Sequence, residues 1–85
     1  MELRTKLGIG DKIYFIRNGR IDTAKIDMVE IKVRKSFTEI YYFWEEYDGL
    51  NERYEWRHVS EKLAFSTKEA LVEHLLTIFK EEENR

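Results

Sequence analysis

Few residues in this sequence could carry chemistry, and none stands in a recognisable catalytic or metal-binding pattern. There is no cysteine, and the two histidines, His58 and His74, lack further ligands at the spacing of a zinc site. Glu45 and Glu46 are adjacent. Because consecutive residues of a strand point to opposite faces, these carboxylates cannot act on one substrate atom. Neither a glycine-rich phosphate loop nor a nucleophile motif is present. The sequence therefore predicts a protein that is not an enzyme and has no metal or cofactor site.

Basic residues form one cluster of a kind that can follow a nucleic-acid backbone. Its members are Lys25, Lys32, Arg34 and Lys35. If the apolar residues between them point inward, Lys32 and Arg34 point outward together, as in small barrels that bind nucleic acid. Glu30 and Glu39 are close enough to neutralise this cluster. We therefore favour an ordinary solvated face, with weak nucleic-acid binding through these four residues as the alternative.

Four consecutive aromatic residues, YYFW, lie in the middle of one predicted strand and place rings on both of its faces. Pairing Ile31 with Tyr41 across the hairpin leaves Tyr42 and Trp44 outside. Pairing Ile31 with Ile40 turns the same two rings inside. A slip of one residue moves every side chain to the other face, and the sequence leaves both registers open.

The first of these registers predicts a protein-docking surface. Tyr42 and Trp44 would be exposed there, with Glu45 and Glu46 at the rim, and large rings dominate the energetics of protein interfaces. In the other interpretation, the C-terminal helix packs over this face of the strand. The leading functional prediction is a non-catalytic interaction module that binds another protein or a second copy of itself.

Turn residues and hydrophobic periodicity predict the strands that position these groups, over residues 12–17, 20–35, 38–46 and 53–59. Asn18-Gly19 is the preferred pair for a two-residue type I′ hairpin turn. The apolar residues of the second segment change parity, which predicts a bend near 27–29 or two strands with an irregular joint. The last segment alternates, with Tyr54 and Trp56 on one side, and this pattern is typical of a half-buried strand.

A C-terminal helix is predicted over residues 66–82. Ser66 with Glu69 three residues further on has the pattern of a capping box. The apolar residues then recur at helical spacing on one stripe, which predicts that this side of the helix packs on the strands. The members of that stripe are Leu71, Leu75, Ile78 and Phe79, with Leu75 and Phe79 at the centre and Val72 and Leu76 widening the stripe.

The order of these elements resembles that of a known class of small barrels. The segment GDKIYFI at 10–16, the Asn18-Gly19 turn and the bent strand through Lys25-Ile26 resemble the opening of SH3-like barrels, including the KOW-type ones. The segment LAFSTKEAL at 63–71 is similar to the end of short uncharacterised bacterial and phage proteins. The chain departs from peptide-binding SH3 domains because it has no proline, and from KOW-type binders because it is not basic. The resemblance implies a fold and no functional residue.

Length and composition predict one domain, residues 1–85. The chain has a net charge of −2 and contains five Tyr, five Phe and two Trp, whose burial must hold a small core together without disulfides. No segment approaches the roughly 20 apolar residues of a membrane span, and the N-terminus lacks a signal-peptide pattern, which predicts a cytoplasmic protein. We expect a mainly β fold with one α-helix. We expect its strands to form a small antiparallel SH3-like barrel or a strongly bent sheet of about four or five strands (10–64), preceded by an N-terminal arm (1–9) and closed by the C-terminal helix.

Overall fold

Two antiparallel sheets and one helix make up the computed structural model, which describes residues 4–83. The elements in chain order are β1 (Lys12–Arg17), β2 (Arg20–Lys25), β3 (Met28–Val33), β4 (Thr38–Asp48), β5 (Arg53–Ser60), a 3-10 helix (Glu61–Leu63) and α1 (Lys68–Glu83). Strands β1 and β2 form one sheet, and β3, β4 and β5 form the other in that order. The mainly β fold with a C-terminal helix is confirmed, whereas the described strands do not close into a barrel.

Local sequence explains both ends of β2. Asn18 and Gly19 have φ angles of 53° and 73°, as a two-residue hairpin turn requires, and the turn joins Arg17 to Arg20. At the other end, β2 stops at Lys25 and β3 begins at Met28. Of the two predicted alternatives, the structure therefore has two strands with an irregular joint and not one bent strand. Ile26 N donates to Asp11 O at 2.9 Å, and Asp27 N donates to Phe43 O at 2.8 Å. The chain therefore passes from the first sheet to the second within these two residues.

The return of the chain to β1 fixes the start of the helix. Phe65 and Tyr14 exchange two backbone hydrogen bonds, of 2.7 and 2.9 Å, in an antiparallel bridge. The helix cap follows one residue later than predicted, because Thr67 Oγ1 accepts from Ala70 N at 3.1 Å. Ser66 therefore does not form the predicted capping box.

The pairing of β3 with β4 decides which aromatic rings form the core. Ile31 lies opposite Ile40 and Val29 opposite Tyr42, which is the second of the two registers. As a result, Tyr42 is 0% and Trp44 4% exposed. The Trp44 ring packs on Phe15 of the first sheet with 4.9 Å between ring centroids. The two sheets thus meet through a core of six buried residues, Ile13, Phe15, Ile26, Tyr42, Trp44 and Ala64.

Only part of the predicted apolar stripe of α1 packs on the strands. Leu71 is buried, and the His74 ring lies 5.0 Å from the Phe65 ring. Leu75 is half-buried, while Phe79 is 64% exposed. The prediction that Phe79 is a central docking residue is therefore wrong. An apolar cleft of about 240 Å³ remains between the helix and residues of β1, β5 and the 3-10 helix.

Candidate docking surface

The three-stranded sheet turns its other face, away from the core, towards solvent. Side chains alternate along each strand, so the residues on this face are those of opposite parity to Tyr42 and Trp44. Cross-strand pairs on this face include Phe43 with His58, Glu45 with Trp56, and Tyr47 with Tyr54. The rings of β4 and β5 here form what we call the aromatic face, namely Tyr41, Phe43, Tyr47, Tyr54, Trp56 and His58.

Ring contacts between the strands hold most of the aromatic face in place. The Phe43 and His58 rings stack with 5.2 Å between centroids, and Tyr41 meets His58 edge-on at 5.9 Å. Tyr47 and Tyr54 lie 5.3 Å apart at the other end of the strands. Such cross-strand pairs stabilise a sheet by about 0.2–1 kcal/mol each. They also restrict the side chains before any partner arrives, which lowers the entropic cost of binding.

The exposed part of the aromatic face is large for a single chain. Tyr54 is 69% and Trp56 51% exposed. With Tyr47, these rings expose on the order of 350 Å² of surface, at about 150–250 Å² per ring. Apolar patches of roughly 300–600 Å² are the largest on a typical monomer and are often functional. Helix α1 lies on the opposite side of the sheet and does not cover the aromatic face. Val59, which lines the cleft beside the helix, is on the other face of β5 from Trp56.

Sequence reasoning missed Tyr54 and Trp56 because it expected the apolar side of this strand to face the core. The inward positions of β5 hold Glu55 and Arg57 instead, and Arg57 lies 3.6 Å from Glu46. Glu46 of β4 could have indicated the correct face. It has the same parity as the buried rings, and a carboxylate on that side of the sheet favours cationic partners on the neighbouring strands.

Glu46 is an internal clamp between the two sheets. Arg17 of β1 donates to both of its carboxylate oxygens, at 2.8 and 2.6 Å, and Trp44 Nε1 donates at 2.8 Å. The hydrogen bonds from Arg17 lower the pKa of Glu46 to about 2. They also raise the pKa of Arg17. The role of Glu46 is therefore to join the two sheets rather than to form a docking rim.

The predicted docking patch of Tyr42, Trp44, Glu45 and Glu46 does not exist as a surface. Tyr42 lies in the core, where its hydroxyl donates to Glu61 at 2.6 Å and accepts from Leu7 N at 3.0 Å. Burial and the hydrogen bond to Glu61 raise the pKa of Tyr42 to about 12. Glu45 alone is exposed as predicted, and it lies on the aromatic face beside Trp56.

The four predicted nucleic-acid-binding residues do not form a patch of free cations. Lys32 Nζ lies 3.4 Å from a Glu30 carboxylate oxygen and 5.7 Å from the centre of the Tyr41 ring. Arg34 pairs with Glu39 at 3.3 Å. Lys25 lies in the first sheet, opposite Lys12, and Lys35 is exposed beyond the end of β3.

Comparisons with known proteins and searches for two kinds of site were negative. No family model, curated protein or solved structure matches the chain. Within residues 4–83, no three His, Asp or Glu side chains gather in a way that could hold a metal ion. In the same part of the chain, α1 falls short of the length and hydropathy needed to cross a bilayer.

Proposed function

We propose that this chain is a non-catalytic interaction module that binds another protein through the aromatic face. The observation that carries the proposal is the exposure of Tyr54 and Trp56 on a sheet face whose rings are held by cross-strand contacts. Tyrosine and tryptophan are enriched among the residues that dominate binding energy at protein interfaces. A rigid sheet presents them without the ordering cost of a loop.

The charges around the aromatic face favour a protein partner over a nucleic acid. Glu45 is exposed beside Trp56, and Lys32, which lies over the Tyr41 ring, already faces Glu30. A polyanion would gain little from this surface, since its affinity depends on releasing counterions through several free cations. A protein interface tolerates mixed charges at its rim.

The proposed architecture is an open SH3-like barrel. A hairpin, a three-stranded sheet, a 3-10 helix and a return to the first strand occur in this order along the chain. The bend at Ile26 and Asp27, where one sheet passes into the other, supports the proposal. A closing strand longer than the single bridge of Phe65 with Tyr14 would make the barrel complete.

Affinity capture with identification by mass spectrometry tests the proposed function. Wild-type protein and Trp56→Ser are compared in parallel, with and without nuclease. Ile9→Ser serves as the matched control, because Ile9 is an exposed apolar residue outside the sheets. We expect a partner protein that survives nuclease treatment, is lost with Trp56→Ser and is kept with Ile9→Ser. Equal capture by wild type and Trp56→Ser contradicts the assignment of the aromatic face.

Weak nucleic-acid binding is the second candidate, because Lys32 lies over the Tyr41 ring at the edge of the same face. Fluorescence anisotropy with labelled single-stranded oligonucleotides at low salt separates the two candidates. Binding that falls steeply with salt and is lost with Lys32→Glu supports this candidate. No binding at tens of micromolar protein removes it.

A further inference from the structure

Helix α1 carries a second apolar surface, separate from the side that packs on the strands. Val72, Leu76 and Phe79 occur at the i, i+4, i+7 spacing that places side chains on one side of a helix. All three are exposed, Leu76 by 56% and Phe79 by 64%. We call these three residues the helix stripe. They share no residue with the aromatic face, so a contact through the helix stripe is independent of the proposed function.

The helix stripe has a depression at one end and a projecting ring at the other. Val72 and Leu76 line a shallow apolar depression whose edges are Lys68, Glu69 and Glu73. Phe79 lies seven residues after Val72, or roughly 10 Å along the helix at about 1.5 Å per residue. When α1 of a second copy lies antiparallel beside α1 of the first, Phe79 of the second copy is level with Val72 of the first. The same shift places the first Phe79 against the second Val72.

We propose that α1 pairs with α1 of a second copy of the chain, antiparallel, with Phe79 of each copy in the Val72–Leu76 depression of the other. The contact is isologous, because each residue meets the same partner twice about a twofold axis. The ring removed from solvent on one helix therefore fills the depression on the other.

Two charged residues beside the helix stripe select the antiparallel direction. Glu73 and Lys80 are also seven residues apart and lie along one flank of the stripe. Neither has an ion-pair partner among the described residues. In the antiparallel pair, Glu73 of each copy lies beside Lys80 of the other, whereas a parallel pair leaves the two charged flanks on opposite sides of the contact and forms no such pair.

The size of the helix stripe makes this a weak, reversible dimer. Its three side chains expose roughly 300 Å² per copy, well below the ~600–1,000 Å² per partner of stable interfaces. We expect a dissociation constant on the order of 100 µM, measurable at concentrations from about 10 µM to 1 mM.

Sedimentation-velocity ultracentrifugation over that concentration range tests the proposal, with circular dichroism to check the helix. Phe79→Ser is expected to reduce the dimer at least tenfold, because it removes the ring that fills the depression. Glu73→Lys and Lys80→Glu, each alone, should weaken the dimer, and the two together should restore it. Glu81→Lys is the matched control, since Glu81 is exposed on the side of the helix opposite the stripe.

Restoration by the double charge exchange separates pairing between copies from any effect inside one helix. Glu73 and Lys80 are too far apart in one chain to contact each other, so only a second copy can bring the pair together. A wild-type protein that stays monomeric at 1 mM overturns the proposal. So does a dimer that is unchanged by Phe79→Ser and lost with Trp56→Ser, because the copies then meet through the aromatic face.

Discussion

Replacing each of the two tryptophans in turn tests how the sheet is oriented. Trp44 is 4% exposed and packs on Phe15, so Trp44→Ala is expected to lower the free energy of unfolding by about 3–5 kcal/mol. Trp56 is 51% exposed. Truncating it removes only roughly 100 Å² of buried ring surface, or at most about 2.5 kcal/mol at ~25 cal/mol/Å², since the unfolded chain already buries part of this surface. The ratio of the two losses therefore reports which face of β4 and β5 is the core.

Urea denaturation followed by far-ultraviolet circular dichroism measures both losses without depending on tryptophan fluorescence. A domain of this size has a total stability at the low end of about 5–15 kcal/mol, so Trp44→Ala can leave the chain unfolded in water. Trp44→Phe then gives a measurable value, because it keeps an aromatic ring against Phe15 and loses less than Trp44→Ala, namely part of the ring volume and the Nε1 hydrogen bond to Glu46. Equal losses at the two positions, or a larger loss at Trp56, would refute the register.

Three further changes probe the polar contacts that join the elements. Glu46→Gln is expected to cost about 1–2 kcal/mol at neutral pH, because it weakens the hydrogen bonds from Arg17. The pKa of Glu46 is lowered from 4.5 to about 2, so the ionised clamp stabilises the wild type above pH ~4.5. This part of the stability is lost as the pH falls through about 2. The free energy of unfolding of Glu46→Gln, measured over the same pH range, should not show this loss. Tyr42→Phe leaves Leu7 N–H without its acceptor and removes one of the two hydrogen bonds to Glu61 Oε2, and it should cost about 1–2 kcal/mol in urea melts. Thr67→Ala should lower helix stability by about 1 kcal/mol and Ser66→Ala by only a few tenths, and thermal melts of the pair would contradict the cap if the order were reversed.

Several features of the chain arise from short-range sequence alone. Asn18-Gly19 adopts the positive φ angles of its hairpin turn because few other residue pairs do so at low cost. The parity change near 27–29 requires either a bend or a break, since a strict alternation cannot keep both apolar sets inside, and the structure has the break. The C-terminal helix is likewise predictable from its periodicity, to within two residues at its start. Each of these depends on neighbours within a few positions.

The sequence could not choose between the two registers of β3 and β4, and the candidate site depends on that choice. The YYFW run offers rings to both faces, so either register satisfies the alternation of one strand considered alone. Tertiary contacts decide it. Trp44 reaches Phe15 and donates to Glu46, while Glu46 binds Arg17 of the other sheet.

The same long-range contacts determine which aromatic residues stay exposed. Because Glu46 lies on the core side of β4, the residues beside it on β5 are Glu55 and Arg57, and the aromatic side of β5 turns to solvent with Trp56. The bridge between Phe65 and Tyr14 similarly fixes where α1 begins, and Phe79 lies on a side of the helix that the sheets do not cover. Local sequence therefore determined the hairpin turn, an interruption of regular strand near 27–29 and the helix. Only the packing of one sheet on the other decided which rings are core and which are surface, because both sets have the same residue types and the same spacing.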